Sequence, residues 1–373
     1  MTMQPSRSRA CATAIAVLLA AGAAVAQAPA PSTSDPMALP SEVMPLASRA
    51  LVLDIARAGT RIIAVGERGQ ILLSDDGDAW RQSTGVPLRS TLTAISAVGN
   101  EAWAVGHDGV ILHSADAGES WTVQRRDPWA PAVEGGEHDL RQGVPLLDVL
   151  FTDASTGIAI GAYSLLLTTT DGGKTWNGSR IAVAGEAAAA ATVAADEEIE
   201  IEGEGGDTFS AADLKIGQES DPHLNGIART GSGALVIVGE RGAIFRSRDA
   251  GASWERSQLP YDGSMFGVVG YDGDHVLAFG LRGHVFESDD LGAQWREVPT
   301  ATELSLMGGT PLADGGAVVV GANGTVLHRA SASAPFTRST HTAAGVIAGV
   351  LPLTEAGELL VAGENGISRY QPK

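Results

Sequence analysis

The sequence predicts an all-β chain folded as a seven-bladed β-propeller, and three observations carry that expectation. A glycine-led unit recurs at Gly66, Gly106, Gly161, Gly239, Gly280, Gly321 and Gly363, with spacings of 40, 55, 78, 41, 41 and 42 residues. A period near 40 marks a propeller or solenoid. Six units run on to an aromatic residue (Trp80, Trp121, Trp176, Trp254, Trp295 and Phe336), and the seventh stops near Tyr370. The second strand of the units is almost continuously apolar, as in 62–65, 235–238 and 318–320. Strands apolar on both faces must be covered on both, which packed blades provide.

The chain begins with Arg7 and Arg9, an apolar run over 11–23, and Ala24-Val25-Ala26 before Gln27. This is the pattern of a cleaved secretory signal over 1–26, cut after Ala26, and the run is short for a membrane anchor. Residues 27–37, rich in Pro, Ser and Ala, read as a flexible leader, leaving the propeller to 38–373. The single cysteine, Cys11, lies inside the signal, so the mature chain has no disulfide, thiolate site or cysteine nucleophile. A periplasmic or secreted location fits such a chain. Cleavage leaves 23 basic against 44 acidic side chains, a net charge of −21. That argues against nucleic acid as a partner, because phosphate backbones are bound by clustered Lys and Arg.

Each unit then reads as four short strands. In the second these are 91–98, 101–105, 110–114 and 121–124. The turn from second to third strand is Gly-x-x-Gly in six copies, with Ser164 replacing the second glycine in the third. Asp108-Gly109, Asn323-Gly324 and Asn365-Gly366 suit a hairpin whose two central residues take positive φ. The next turn is Ser-x-Asp-x-Gly-x-x-Trp, carried by Asp116 and Trp121, Asp249 and Trp254, and Asp290 and Trp295, with Thr169 for Ser before Asp171 and Trp176. The carboxylate can accept N–H groups of the turn while the indole packs between neighbouring sheets, a structural task. Copy one is a residue shorter, and copy six (RASASAPF) lacks both Asp and Gly.

This turn is the Asp-box, or bacterial neuraminidase repeat. Combined with the Gly-x-x-Gly turns and inner strands such as 51–55 and 146–149, it resembles the photosystem II stability/assembly factor family over about 45–373. That resemblance implies a seven-bladed, non-enzymatic propeller aiding assembly or stability of a membrane protein complex. It implies no cofactor. The seventh copy lacks an outer strand, so an N-terminal strand over 41–46 is expected to close the last blade.

Two connections are long, giving insertions at about 125–143 and 178–222, both between an outer strand and the next inner one. Such connections share a face with the Gly-x-x-Gly turns, so one face of the disc is elaborated. The second insertion carries the acidic run 196–204, either a solvated loop or a dock for a basic partner or cation. Copies one, four and five place Arg68, Arg241 and Arg282 in the turn. In a two-residue turn they would sit at positive φ, and in a longer one only the glycine would. Displayed together, they would engage carboxylates of a protein partner.

Enzymatic signals are thin. The histidines show no metal-ligand spacing, so no metal site is expected. Neither a Gly-x-Ser-x-Gly elbow nor a phosphate loop occurs. A sialidase needs a tyrosine nucleophile, and only Tyr163, Tyr261, Tyr271 and Tyr370 are present. The sequence thus reads as a monomeric binding scaffold for a protein, with a carbohydrate-active protein, glycosidase or glycan binder, as the alternative. Paired carboxylates and aromatic rings around the central opening would favour that alternative.

Overall fold

Seven antiparallel sheets stand around a central axis in the computed structural model, which describes residues 39–128, 143–181, 221–353 and 357–372. The inner strands are Val52–Ala58, Leu92–Val98, Leu146–Phe151, Leu224–Arg229, Met265–Gly270, Leu306–Pro311 and Ile347–Pro352. Each contacts the next, and the last returns to the first, which closes the ring. Six blades have four strands and the seventh has three, in simple sequential order. The strands of the second blade fall within a residue of their expected bounds: Leu92–Val98, Glu101–Gly106, Ile111–Ser114 and Thr122–Arg125.

The apolar second strands are buried along nearly their whole length, and they meet their neighbours in clusters between blades rather than in one central core. Each fully buried Leu, Ile, Val or Phe contributes roughly 1.5–3 kcal/mol, so the stabilisation is spread evenly around the disc. The aromatic at the start of each outer strand packs against the preceding blade. Trp121 lies in the cluster of blades one and two, Trp254 in that of three and four, and Phe336 in that of five and six. Tyr370 takes the corresponding place between blades six and seven, stacked on His341 at 4.9 Å.

All seven inner strands slip register near their start, placing Asp54, Ala94, Asp148, Gly226, Gly267, Gly308 and Gly349 just after the irregularity. Five of these seven are alanine or glycine because neighbouring strands press together there. A Cβ on Gly226 would lie 3.0 Å from the Gly267 Cα, and one on Gly308 would strike the Ala348 carbonyl.

The N-terminal segment departs from expectation. Residues 41–46 form no strand on blade seven; they run along blade one. Ser41 donates its N–H to the Val86 carbonyl (3.0 Å) and its hydroxyl to that of Arg68 (2.9 Å), and Met44 N–H reaches Gln82 Oε1 (2.9 Å). What docks on blade seven is the short 3-10 turn Ala47–Arg49, whose Ser48 carbonyl lies over Gly366. In the other blades the outer-to-inner connection fills that place, so Ala47–Arg49 supplies the missing connection, and among the described residues no strand takes the outer position. Across the same seam the Arg369 guanidinium bridges Asp78 (2.6 Å) and Glu358 (2.9 Å) and donates to the Asp76 carbonyl (2.7 Å). The signal, the leader, the acidic run and the centres of both insertions lie outside the described residues.

Candidate partner-binding face

The Gly-x-x-Gly turn owes both glycines to close approach. A Cβ on the first would meet the carbonyl just before the inner strand: that of Leu51 at Gly66, Thr91 at Gly106, Ser264 at Gly280. A Cβ on the second would meet the incoming connection: Leu88 at Gly69, Tyr261 at Gly242, Thr302 at Gly283. Turns and connections therefore press together on one face of the disc, and both insertions leave from it.

The arginines occupy the left-handed region. Arg68 has φ/ψ of 55/29°, Arg241 53/35° and Arg282 56/29°, each followed by a glycine at positive φ. Gln70 N–H closes the first of these turns on the Glu67 carbonyl at 3.0 Å. This is the two-residue turn, with its unfavourable torsion for a long side chain. Asp108 and Asn323 take the same conformation, whereas at the seventh turn only Gly366 does, not Asn365. That turn is correspondingly shorter, pairing Gly363 with Gly366 directly.

All three arginine residues are exposed. Arg241 and Arg282 stand on adjacent blades four and five, while Arg68 stands on blade one beside the N-terminal segment. Sequence reasoning missed a fourth departure in the same face. Tyr163 and Ser164 have φ of 55° and 56°, with Ser164 where the other turns have their second glycine. The Ser164 N–H and hydroxyl both donate to the Pro222 carbonyl (3.0 and 3.2 Å), and Tyr163 meets His223 edge-on at 5.0 Å. Arg180 pairs with Asp221 at 2.6 Å, so both ends of the second insertion are fastened at this turn. The lost glycine of copy three was the available signal. Further along the arc Tyr261 lies over His284 (4.1 Å), whose Nδ1 meets Glu297 (2.7 Å).

Between blades two and three, where the first insertion begins, Arg125, Asp127, Pro128, Val144, Leu165 and Arg180 line a hollow of about 250 Å³. Arg125 donates to the Gly109 carbonyl and to Asp127, both at 2.6 Å. Its guanidinium is committed to holding the stem.

The opposite face carries the Asp-boxes. In the fourth, Ser247 Oγ donates to Asp249 (2.7 Å) and accepts the Gly251 N–H (2.8 Å), and Asp249 accepts the Ser253 N–H (2.9 Å). The hydroxyl and N–H of Ser253 hold the Asp249 carboxyl down at about 2, and the Thr175 N–H and hydroxyl do the same for Asp171. Asp116 and Asp290 make the matching bonds with Ser114 and Ser288. In copy six Arg329 stands where the box serine belongs. It is buried and grips the fully buried Glu287 of blade five through two bonds of 2.9 and 3.1 Å. It also donates to the Gly315 carbonyl (2.9 Å), while His275 and Arg296 complete the carboxylate's shell at 2.6 Å each.

The central opening holds two carboxylates. Asp54 accepts the N–H groups of Ile55 and of Ile95 on blade two, both at 2.8 Å. Asp148 accepts those of Val149 (2.7 Å) and of Ile227 on blade four (2.9 Å). Each is half-buried. Burial, against those N–H bonds, pushes Asp54 to about 6; burial, with the charge of Asp54 adding, pushes Asp148 to about 7. Both stitch neighbouring blades, and the equivalent positions of the other five inner strands are glycine or alanine. Among the described residues no group of three or more acidic, His or Cys side chains is placed to hold a metal ion.

Residues 36–135 match the family model described as photosynthesis system II assembly factor YCF48. Over those residues the chain is similar to the photosystem II assembly factor family. The resemblance read from the repeats is borne out. It is 28% identical over 151 residues to "Photosystem II assembly lipoprotein Ycf48" of Synechococcus sp. (strain CC9902), a match covering 39% of this chain and 42% of that protein's length. The fold is shared with a structure of YCF48 bound to D1 peptide (TM-score 0.59, 17% identity, covering 91% of this chain and all of that one). It is shared equally with YCF48 from Cyanidioschyzon merolae (0.59, 15%, covering 89% and 98%) and with the WD40 propeller domain of Doa1 (0.59, 13%, covering 90% and 97%).

Proposed function

We propose that this chain is an exported, non-enzymatic scaffold that binds a protein through its elaborated face and aids assembly or stability of a membrane complex. The observation that carries the reading is the strained display of Arg68, Arg241 and Arg282, with Tyr163 and Ser164, on the face from which both insertions leave. Strain in the backbone persists where the surroundings impose it, and it clusters at functional positions. Guanidinium groups so presented engage carboxylates of a partner. The structure of YCF48 bound to D1 peptide, which shares this fold, supports a peptide or protein ligand. The name of the curated relative, a lipoprotein, supports export, which here follows from a signal over 1–26 cut before the leader 27–37. The ligand docks on a rigid disc, so little ordering is lost on the propeller side.

The test is capture from cross-linked cell envelopes by the exported protein beside a variant carrying Arg68→Glu, Arg241→Glu and Arg282→Glu. A membrane protein recovered by the unaltered chain alone supports both scaffold and surface. Equal capture by both sinks the arginine assignment. No protein client in either sample, with binding on a glycan array, would replace this reading with a carbohydrate one.

A further inference from the structure

The seven inner strands carry only four charged side chains, Asp54, Arg57, Asp148 and Arg229. Both acids follow the register slip near the start of their strands, whereas the arginines stand near the opposite ends. Each acid ties its own blade to the next, Asp54 through the Ile95 N–H (2.8 Å) and Asp148 through that of Ile227 (2.9 Å). The inner strands of blades two and seven, which flank Asp54, bring no charge to it, and beside Asp148 blade four offers only Arg229 at its end. The second strands behind are apolar in their middle, with Arg61 and Glu101 at the far ends paired to Asp75 and His113. Among the described residues no cation offsets either acid, and each is surrounded by protein that favours its neutral form.

The strands that carry the acids also clasp two of the strained turns. Three residues before Asp54, the Leu51 carbonyl accepts the Glu67 N–H (3.2 Å) and Gln70 Nε2 (2.8 Å), which seats the turn of Arg68. Three residues before Asp148, the Pro145 carbonyl accepts the Ala162 N–H (3.1 Å), next to Tyr163 and Ser164. Blades five and six make the same clasp, from Ser264 to Leu281 and from Ser305 to Ala322, both at 2.9 Å. There, however, Gly267 and Gly308 stand where the acids would be. The turns of blades one and three are thus seated on strands with a titratable group, and those of blades five and six on strands without one.

We infer that Asp54 and Asp148 form a proton-operated latch at the axis, which holds the inner strands of blades one to four together while both acids are neutral and loosens the turns of Arg68 and Tyr163 when they ionise. Ionisation places two like charges in one opening, and bringing water to them requires the strands to part. With Asp54 at about 6 and Asp148 at about 7, the latch is closed below that range and open above it. Weaker capture through the arginine-bearing face in alkaline solution is a consequence that rests on the function proposed above. The latch itself does not.

Amide hydrogen exchange of the full chain without any partner tests the latch, at about pH 5 and about pH 8 and corrected for the intrinsic effect of pH on exchange. An opening that hydrates the acids returns them to their ordinary 3.8. Between the two conditions protection should therefore fall about tenfold at Ile95 and Glu67, beside Asp54, and up to about a hundredfold at Ile227 and Ala162, beside Asp148. The amides of Leu281 and Ala322 should keep theirs. A variant with Asp54→Asn and Asp148→Asn should lose the pH dependence, whatever its level of protection. If that pair does not fold, Asp148→Asn alone carries the same expectation for Ile227 and Ala162. Unchanged protection in the unaltered chain, or pH dependence that survives in the variants, overturns the latch. So does loss that is uniform around the ring, or loss at Ile95 and Ile227 that leaves Glu67 and Ala162 untouched.

Discussion

At the scale of single residues, the carboxylates divide into two groups with opposite pH behaviour. Asp54 and Asp148 have folded values of about 6 and about 7 against an ordinary 3.8, so between those limits the folded chain binds more protons than the unfolded one. Their contribution is fully present at low pH and is lost as pH rises through 6 to 7. Asp171 and Asp249, held at about 2, behave conversely: their contribution is present above 3.8 and is lost as pH falls toward 2. Denaturation midpoints should therefore peak near pH 4 and decline from about pH 4 to 7. In Asp148→Asn that decline should flatten, and an unchanged slope would show that other groups set it. Arg329 gives a second expectation. Replacing it by alanine leaves the Glu287 carboxylate buried without its two-bond partner, and loss of about 3–5 kcal/mol is expected from urea denaturation. The degenerate Asp-box of copy six was visible in the sequence. That an arginine from it would seek a glutamate one blade away was not, because the pairing depends on how adjacent sheets face each other.

At the scale of the turn, the same residues bear on stability and function in opposite senses. An arginine in the left-handed region costs about 1 kcal/mol or more relative to a residue that tolerates it. Arg68→Asn, Arg241→Asn and Arg282→Asn, which recreate the residue type of Asn323, should each raise the denaturation midpoint while lowering capture of the partner. A variant that loses stability would show that the arginine side chain is held by contacts stronger than the strain. Gly242→Ala should do the reverse, since the added carbon meets the Tyr261 carbonyl at a backbone already at positive φ. Its thermal midpoint should fall sharply. The glycines announced the turn from sequence alone. The left-handed arginines followed once the turn length was fixed, but the pair at Tyr163 and Ser164 needed the structure, where Pro222 is seen to hold Ser164 in place.

At the scale of the molecule, a propeller is only as stable as the seam where its first and last blades meet. Here that seam rests on Leu360, Ala362 and Ile367 packed against Ile55, Ile62 and Leu72, and on Arg369 reaching Asp78. Arg369→Ala should open the ring locally. Faster amide exchange is expected in Val52–Ala58 and Leu359–Gly363, with blades three and four little changed, and uniform acceleration around the ring would refute a weak seam.

The sequence by itself determined the number of blades, the strands within each, the Asp-box turns and the face from which the insertions leave. These are local matters, set by glycine and aspartate torsions and by apolar periodicity, and they repeat seven times. Only the tertiary structure decided how the ends meet. A strand over 41–46 on blade seven satisfied the need to cover an edge. The chain instead spends that segment on bonds to Gln82, Val86 and Arg68 of blade one and sends Ala47–Arg49 to blade seven. No local propensity distinguishes these outcomes, because the same short segment can bond to either blade. The choice rests on contacts between residues some 300 positions apart in the chain, which exist only when the ring is closed.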